Sequence, residues 1–252
     1  MTDYWVVTRD LYVLSVLLIA SYWDIVKREI EPKYWLITGT VGLLLAFTST
    51  IIAGLNLDLY GYTLFSIIAI AIVGAFYYIG YMGGADLYAV AVIALTVPKQ
   101  LVGEGLIPTP FMTVVYAAVV SALIPIYFCF YNLVSRDRRR AIREVPRGYI
   151  MCFLGVPKRP RDYVNSKGFW FPLTTYENGE LVTRYSFQVE EEPEEHKQKI
   201  KSLLESREIG EDSFIWITPG IPFVLFILLG FILSIIIGDL PLQLLFGGIN
   251  GG

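Results

Sequence analysis

The chain is 252 residues long, 55% hydrophobic and 15% aromatic, with a mean hydropathy of +0.56, too apolar for a soluble domain of this length and expected of an integral membrane protein. A formal charge of −3 says little about partners, because 29 of the 43 charged residues lie between residues 136 and 212. Two cysteines, Cys129 and Cys152, far apart and without neighbouring histidine, exclude a disulfide framework and a CxxC metal site.

The start, MTDYWVVTRD, lacks the basic stretch and small-residue cleavage pattern of a removable signal, so the first apolar run is expected to remain as an anchor. Apolar runs at residues 11–26, 34–53, 59–81, 87–97, 111–134 and 219–237 read as six crossings, at about 20 residues each. The fourth is the shortest and stops at Pro98, which cannot continue a helix. Lys27, Arg28 and Lys33 follow the first run and RDRRRAIREVPR follows the fifth. The positive-inside rule then puts these loops on the cytoplasmic side and both termini outside. The same arginine run also suits anionic lipid headgroups.

A polar insert follows the fifth run. Within it FWFPLTTYENGELVTRYSFQV predicts a β-hairpin turning at Asn178-Gly179, a pair that tolerates the positive φ angles of a tight turn. Next, EEHKQKIKSLLESRE predicts a short helix with Glu194 and Glu195 in its first turn and Ile200, Leu203 and Leu204 on one face. His196, the one histidine, is expected on the solvated side of that helix. The predicted fold is a membrane all-α protein: six transmembrane helices, with a small α+β cytoplasmic domain inserted before the last. The domains are expected at residues 1–144 (helices one to five), 145–212 (the soluble piece) and 213–252 (final helix and tail).

Ionisable groups inside or at the edge of a span are costly and are functional candidates by default. Asp24 and Asp86 are the two that stand out. Asp24 ends the first run in SYWDIVKREIEP, and Asp86 begins the fourth, after one excursion out and one back. Counting crossings puts both at the cytoplasmic edge. Two carboxylates held together share a proton, so one can act as base toward a water while the other donates to a substrate carbonyl. That is the chemistry of aspartic proteolysis, and it needs neither metal nor nucleophilic side chain. Gly80, Gly83 and Gly84 are read as leaving the backbone free to turn and a substrate free to approach. As simpler roles, Asp86 could cap the fourth helix and Asp24 could pair with Arg28 one turn on. At a helix N-terminus Asp86 is expected to hold the charge, with Asp24 carrying the shared proton.

The motif GGAD at residues 83–86, preceded by an aspartate ending the first span, resembles the Gly-X-Gly-Asp membrane aspartyl proteases, and within them the archaeal preflagellin peptidases related to bacterial type IV prepilin peptidases. Ala85 stands where that pattern has its second glycine, and Ile30-Glu31-Pro32-Lys33 replaces the bacterial Ile-Pro-Asn. The resemblance implies Asp24 and Asp86 as catalytic residues and Gly83, Gly84 and Ala85 as backbone support. It also implies cleavage of the basic leader of a preflagellin or pilin-like precursor at the cytoplasmic membrane face. Bacterial relatives carry paired CxxC metal sites and often methylate the new N-terminus; with neither motif here, protease activity is expected without methyl transfer, metal or other cofactor. Glu29 and Glu31 are candidates for contact with the basic leader. The implied partners are that precursor and membrane lipid, with no nucleic acid. Two readings from other classes compete: a small proton- or ion-coupled transporter using the same two aspartates, and a non-catalytic scaffold displaying the polar domain. A presenilin-like protease is disfavoured, because that group has more spans and a Pro-Ala-Leu motif that this chain lacks.

Overall fold

A computed structural model describes residues 2–53, 59–97, 107–145, 147–177, 180–188 and 191–247. In chain order the elements are α1 (Thr2–Lys27), α2 (Pro32–Ala53), α3 (Leu59–Tyr78), α4 (Gly84–Thr96), α5 (Thr109–Ser121), α6 (Leu123–Val134), α7 (Arg136–Glu144) and α8 (Gly148–Leu154). There follow β1 (Val156–Lys158), α9 (Pro160–Val164), β2 (Trp170–Pro172), β3 (Thr174–Glu177), β4 (Glu180–Thr183), α10 (Pro193–Glu205), β5 (Ile215–Pro219), α11 (Phe223–Ile237) and α12 (Leu240–Gly247). The chain forms two compact units, Met1–Ser121 with Pro222–Gly252, and Ala122–Ile221.

Among the described residues four helices are long and apolar enough to cross a membrane: Tyr4–Lys27, Pro32–Ile52, Tyr60–Tyr78 and Thr109–Val134. Two further apolar helices, Gly84–Thr96 and Phe223–Ile237, are shorter. The protein is therefore a mostly helical, multi-pass membrane protein with a small sheet region toward its C-terminal part. The fifth apolar run is divided into α5 and α6 by a one-residue turn at Ala122, whose backbone stays helical at φ −64° and ψ −15°. Pro125 explains the break, since it has no N–H to donate to the Ser121 carbonyl. Pro98, where the fourth run was expected to end, lies outside the described residues; α4 is complete one residue after Thr96, where the Val97 N–H closes on the Ile93 carbonyl.

The first unit is a helix cluster with α4 and α11 contributing heavily to its core. Val13, Val16, Leu17 and Ala20 of α1 meet Ala89, Val90 and Ile93 of α4 and Val224, Ile227, Leu228 and Phe231 of α11. Without a hydrophobic driving force between helices in lipid, close backbone approach through small residues does the work. Gly230 is where this matters most: a Cβ there would stand 2.3 Å from the Thr113 carbonyl oxygen and 2.8 Å from the Ala117 nitrogen. The same α5–α11 pair is tied by Thr113 to Ser234 at 3.2 Å, and by the Tyr116 hydroxyl donating to the Gly238 carbonyl at 2.8 Å.

The second unit builds a three-stranded antiparallel sheet in the order β1-β5-β2, with Val156 opposite Ile217 and Phe171 opposite Thr218. β5 is covered on both faces: Trp216 packs with Ala141, Met151 and Leu173, and Ile215 and Ile217 pack with Tyr163 and Ile200. β3 and β4 pair antiparallel as the hairpin reading expects, and its Asn178-Gly179 turn lies outside the described residues. The aromatic stretch before it is a separate strand, because β2 pairs with β5. Buried Asn132 of α6 ties that helix to α8 by donating to the Cys152 and Gly155 carbonyls at 3.0 and 2.7 Å.

His196 departs from the sequence expectation. It is half-buried, its Nε2 lies 2.6 Å from Glu191, and its ring meets Phe171 edge-on. Glu191 is a hub that also accepts from Arg184 at 2.7 Å and from the Gln188 N–H at 2.8 Å. Burial alone would push its carboxyl up, but the Gln188 N–H, the Arg184 guanidinium and the His196 ring outweigh this and hold it below the usual carboxylate range. A depressed native value means stability that is present above the unfolded value of about 4.3 and is lost as pH falls through the native value. Glu191→Gln should therefore destabilise this unit by about 1.5–3 kcal/mol at pH 7 and remove most of its further loss below about pH 4. Hydrogen-exchange protection of α10 across pH 3–7, corrected for intrinsic exchange, measures this. An unchanged acid dependence in the variant would assign the hub no electrostatic role.

Candidate active site

The connection into α4 is set by local backbone chemistry. α3 closes on Gly80, whose φ of +79° lets the chain leave the helix, and the Tyr81 and Met82 N–H groups return to the Phe76 carbonyl. Of the three glycines read as flexible, only Gly80 uses a positive φ. Gly83 is extended, with φ −81° and ψ 160°, and a Cβ on Gly84 would make only ordinary contacts with Tyr77 and Tyr88. Ala85 sits in the first turn of α4, half-buried against the core, in a helical conformation that asks for no glycine.

Gly83 is the N-cap of α4 and Asp86 its third residue. Asp86 is buried, 6% exposed, and its Oδ2 accepts the Gly83 N–H at 2.9 Å, so its carboxylate closes the helix start. The simpler role weighed for Asp86, that of a cap, is thus realised as a reach-back bond from the third helical position.

Asp24 lies one turn before the end of α1, half-buried. Its Oδ2 faces the Val224 N–H at the start of α11, at a long 3.3 Å. Asp24 and Asp86 are within each other's electrostatic reach, and the Arg28 guanidinium is within reach of both. Arg28 follows the end of α1 with φ +58°, a left-handed backbone uncommon outside glycine and asparagine. The short link beyond it is pinned by buried Ile30 and by an edge-on Trp23–Tyr34 pair at 5.0 Å, with the Tyr34 hydroxyl donating to the Val16 carbonyl. Glu29 and Glu31 both lie exposed on this link. An apolar cleft of about 460 Å³ between α2 and α4 begins at Pro32, Lys33 and Tyr88, two residues on from Asp86, and is lined further along by Leu36, Gly39 and Leu95.

Three buried ionisable groups of the first unit escape the sequence reading. α1 begins at Thr2, well before the predicted run, and carries Arg9 and Asp10 into the helix body at 0% and 6% exposed. Arg9's three guanidinium nitrogens have no hydrogen-bond partner among the described residues. Asp239, also buried, accepts the Ile107 N–H at 3.1 Å and the Gln243 amide at 2.8 Å. The available signal was an acid or base directly abutting an apolar run, which loop-counting discards as a flank.

Comparison with known proteins adds to this geometry. Residues 11–126 match the family model described as the type IV leader peptidase family, and residues 148–240 match one described as the archaeal Peptidase A24 C-terminus Type II. A preflagellin peptidase of Methanocaldococcus jannaschii is 26% identical over 238 residues, covering 88% of this chain and 91% of the relative. A preflagellin peptidase of Methanococcus maripaludis is 24% identical over 249 residues, covering 91% and 94%. Together these matches make the chain an aspartic-type leader peptidase, similar to the type IV leader peptidase family over residues 11–126 and to the archaeal Peptidase A24 C-terminus over residues 148–240.

Proposed function

We propose that this leader peptidase cleaves precursors of the preflagellin or pilin-like kind, whose basic leader precedes an apolar segment, and that Asp24 and Asp86 together activate the water. The observation that carries the reading is the approach of Asp24 and Asp86, from separate helices, to within each other's field. Asp86, whose carboxylate accepts an N–H at the positive end of α4, serves as base and takes a proton from water. The water oxygen bonds to the scissile carbonyl carbon while Asp24, carrying the proton, donates to the carbonyl oxygen. Collapse of the tetrahedral adduct breaks the C–N bond, and a proton passes to the leaving amine, giving a carboxyl end and a new amino end. The six-crossing layout, with the site at the cytoplasmic face and both termini outside, belongs to this proposal. It is supported by Lys27, Arg28 and Lys33 beside the site. Neither relative favours the transport reading.

The test is to incubate membranes bearing the chain with a precursor of basic leader and apolar helix, and to follow release of the leader. Cleavage at the leader junction supports the proposal, and an intact precursor with a correctly folded enzyme removes it. Glu29→Gln with Glu31→Gln should raise KM for a lysine-rich leader by about threefold per carboxylate, as exposed ion pairs of under about 1 kcal/mol would give. Because these contacts are made equally in ground and transition states, kcat should hold. An unmoved KM would detach both residues from the leader.

A further inference from the structure

The arginine run RDRRRAIRE does more in the second unit than mark topology. α7 begins one residue after α6 ends, the linker Ser135 being extended at φ −92° and ψ 138°. Near its end α6 exposes the apolar side chains of Phe130, Leu133 and Val134, a patch of the kind that marks membrane contact. The first turn of α7 is therefore held within about 7 Å of chain from the end of an apolar span. Arg138 folds back onto that span: its Nε donates to the Tyr131 carbonyl at 3.0 Å and its guanidinium lies 3.8 Å over the Tyr131 ring. Tyr127 stacks on Tyr131, and Tyr149 is exposed, which supplies the interfacial tyrosines of a membrane boundary.

The orientation of α7 is fixed from the other side. Ala141 is fully buried and Ile142 packs on the same core as Trp216 and Leu173. At 100° per residue, Arg136, Arg139 and Arg143 fall opposite Ala141, with Arg140 beside them, and all four are exposed. Arg140 pairs with Glu144 at 2.7 Å. Arg136, Arg139 and Arg143 have no carboxylate within ion-pair distance among the described residues.

We propose that this arginine face binds the phosphates of anionic phospholipids and seats the second unit on the bilayer surface where α6 emerges. Guanidinium groups grip phosphate oxygens with paired N–H donors, and three of them without acidic partners distinguish an anionic headgroup from a zwitterionic one that carries its own cation. Their position next to a span makes the phosphate source a lipid.

The test uses the full chain in nanodiscs holding a fluorescent anionic phospholipid in a zwitterionic background, with energy transfer from a label placed on α7 reporting local enrichment. The native chain should enrich the anionic lipid, and raising salt to about 1 M, where the screening length falls to about 3 Å, should abolish the enrichment. The triple change Arg136→Gln, Arg139→Gln, Arg143→Gln should weaken it by about fivefold per arginine, roughly a hundredfold together. The corresponding triple lysine variant should keep most of it and shows that loss in the glutamine variant is not a folding defect. No enrichment by the native chain, enrichment that survives the glutamine changes, or competition by inorganic phosphate at physiological salt would each overturn the proposal. Because the readout is lipid enrichment, it stands or falls independently of precursor cleavage.

Discussion

Asp86→Asn is expected to abolish leader cleavage by a factor of at least about 10³, while leaving the fold in place. Asparagine keeps an oxygen that can accept the Gly83 N–H, so the start of α4 stays closed. It cannot take a proton from water, which removes the base. Asp86→Ala is the contrasting case, because it loses the cap bond as well and should cost about 1 kcal/mol of stability. Comparing the two separates the two tasks of one carboxylate. If Asp86→Asn cleaves within about tenfold of the native chain, the residue is a cap and nothing more. Asp24→Asn should fail to a similar degree, and its fold should be even less affected, since its bond to the Val224 N–H is long.

Gly230→Val should prevent the first unit from assembling. The atoms that an added Cβ would meet, the Thr113 oxygen and the Ala117 nitrogen, are backbone of α5 and cannot rotate away. Overpacking of this kind costs about 1–3 kcal/mol even where side chains can adjust, and a branched residue here must push α5 and α11 apart, breaking the Thr113–Ser234 and Tyr116–Gly238 contacts. Since α11 also presents the Val224 N–H to Asp24, activity should fall with the fold. Gly39→Ala is the matched control: its Cβ would meet Val92 and Leu95 at 3.6 and 3.7 Å, ordinary contact, and should shift stability by less than about 0.5 kcal/mol. Thermal melting of the purified proteins in detergent measures both. A Gly230→Val protein melting within a degree or two of native would show that the α5–α11 approach is not what holds the unit.

Much of the helical layout is written in composition, because lipid demands long uninterrupted apolar runs and these are easy to count. What counting cannot see is where a run begins inside a bundle. Arg9 and Asp10 look like a flank to α1, yet a helix neighbour can bury a charged pair that lipid would not accept. Local turn chemistry was legible in part: the glycines before Asp86 announce a turn, but which of them needs a positive φ depends on where α3 ends, and that falls at Gly80. The hairpin of β3 and β4 is readable because its partners are adjacent in sequence. β5 is not, because IWITP abuts the last apolar run and its partners Val156 and Phe171 lie more than 40 residues earlier. His196 looked solvated because its helix is charged; contacts from outside that helix, with Glu191 and Phe171, leave it half-buried. Arg28 illustrates the limit at the site, since one turn from Asp24 it reads as a helical pair, whereas the helix ends before it and its left-handed backbone turns it toward both acids.

The central claim is that Asp24 and Asp86 work on one water as a unit, and a double-variant cycle on precursor cleavage tests it most directly. Groups that act together lose their function once, so Asp24→Asn, Asp86→Asn and the combined variant should all fall to a similar residual rate. Losses that multiply in the combined variant, or a single variant that still cleaves at near-native rate, would contradict a shared role.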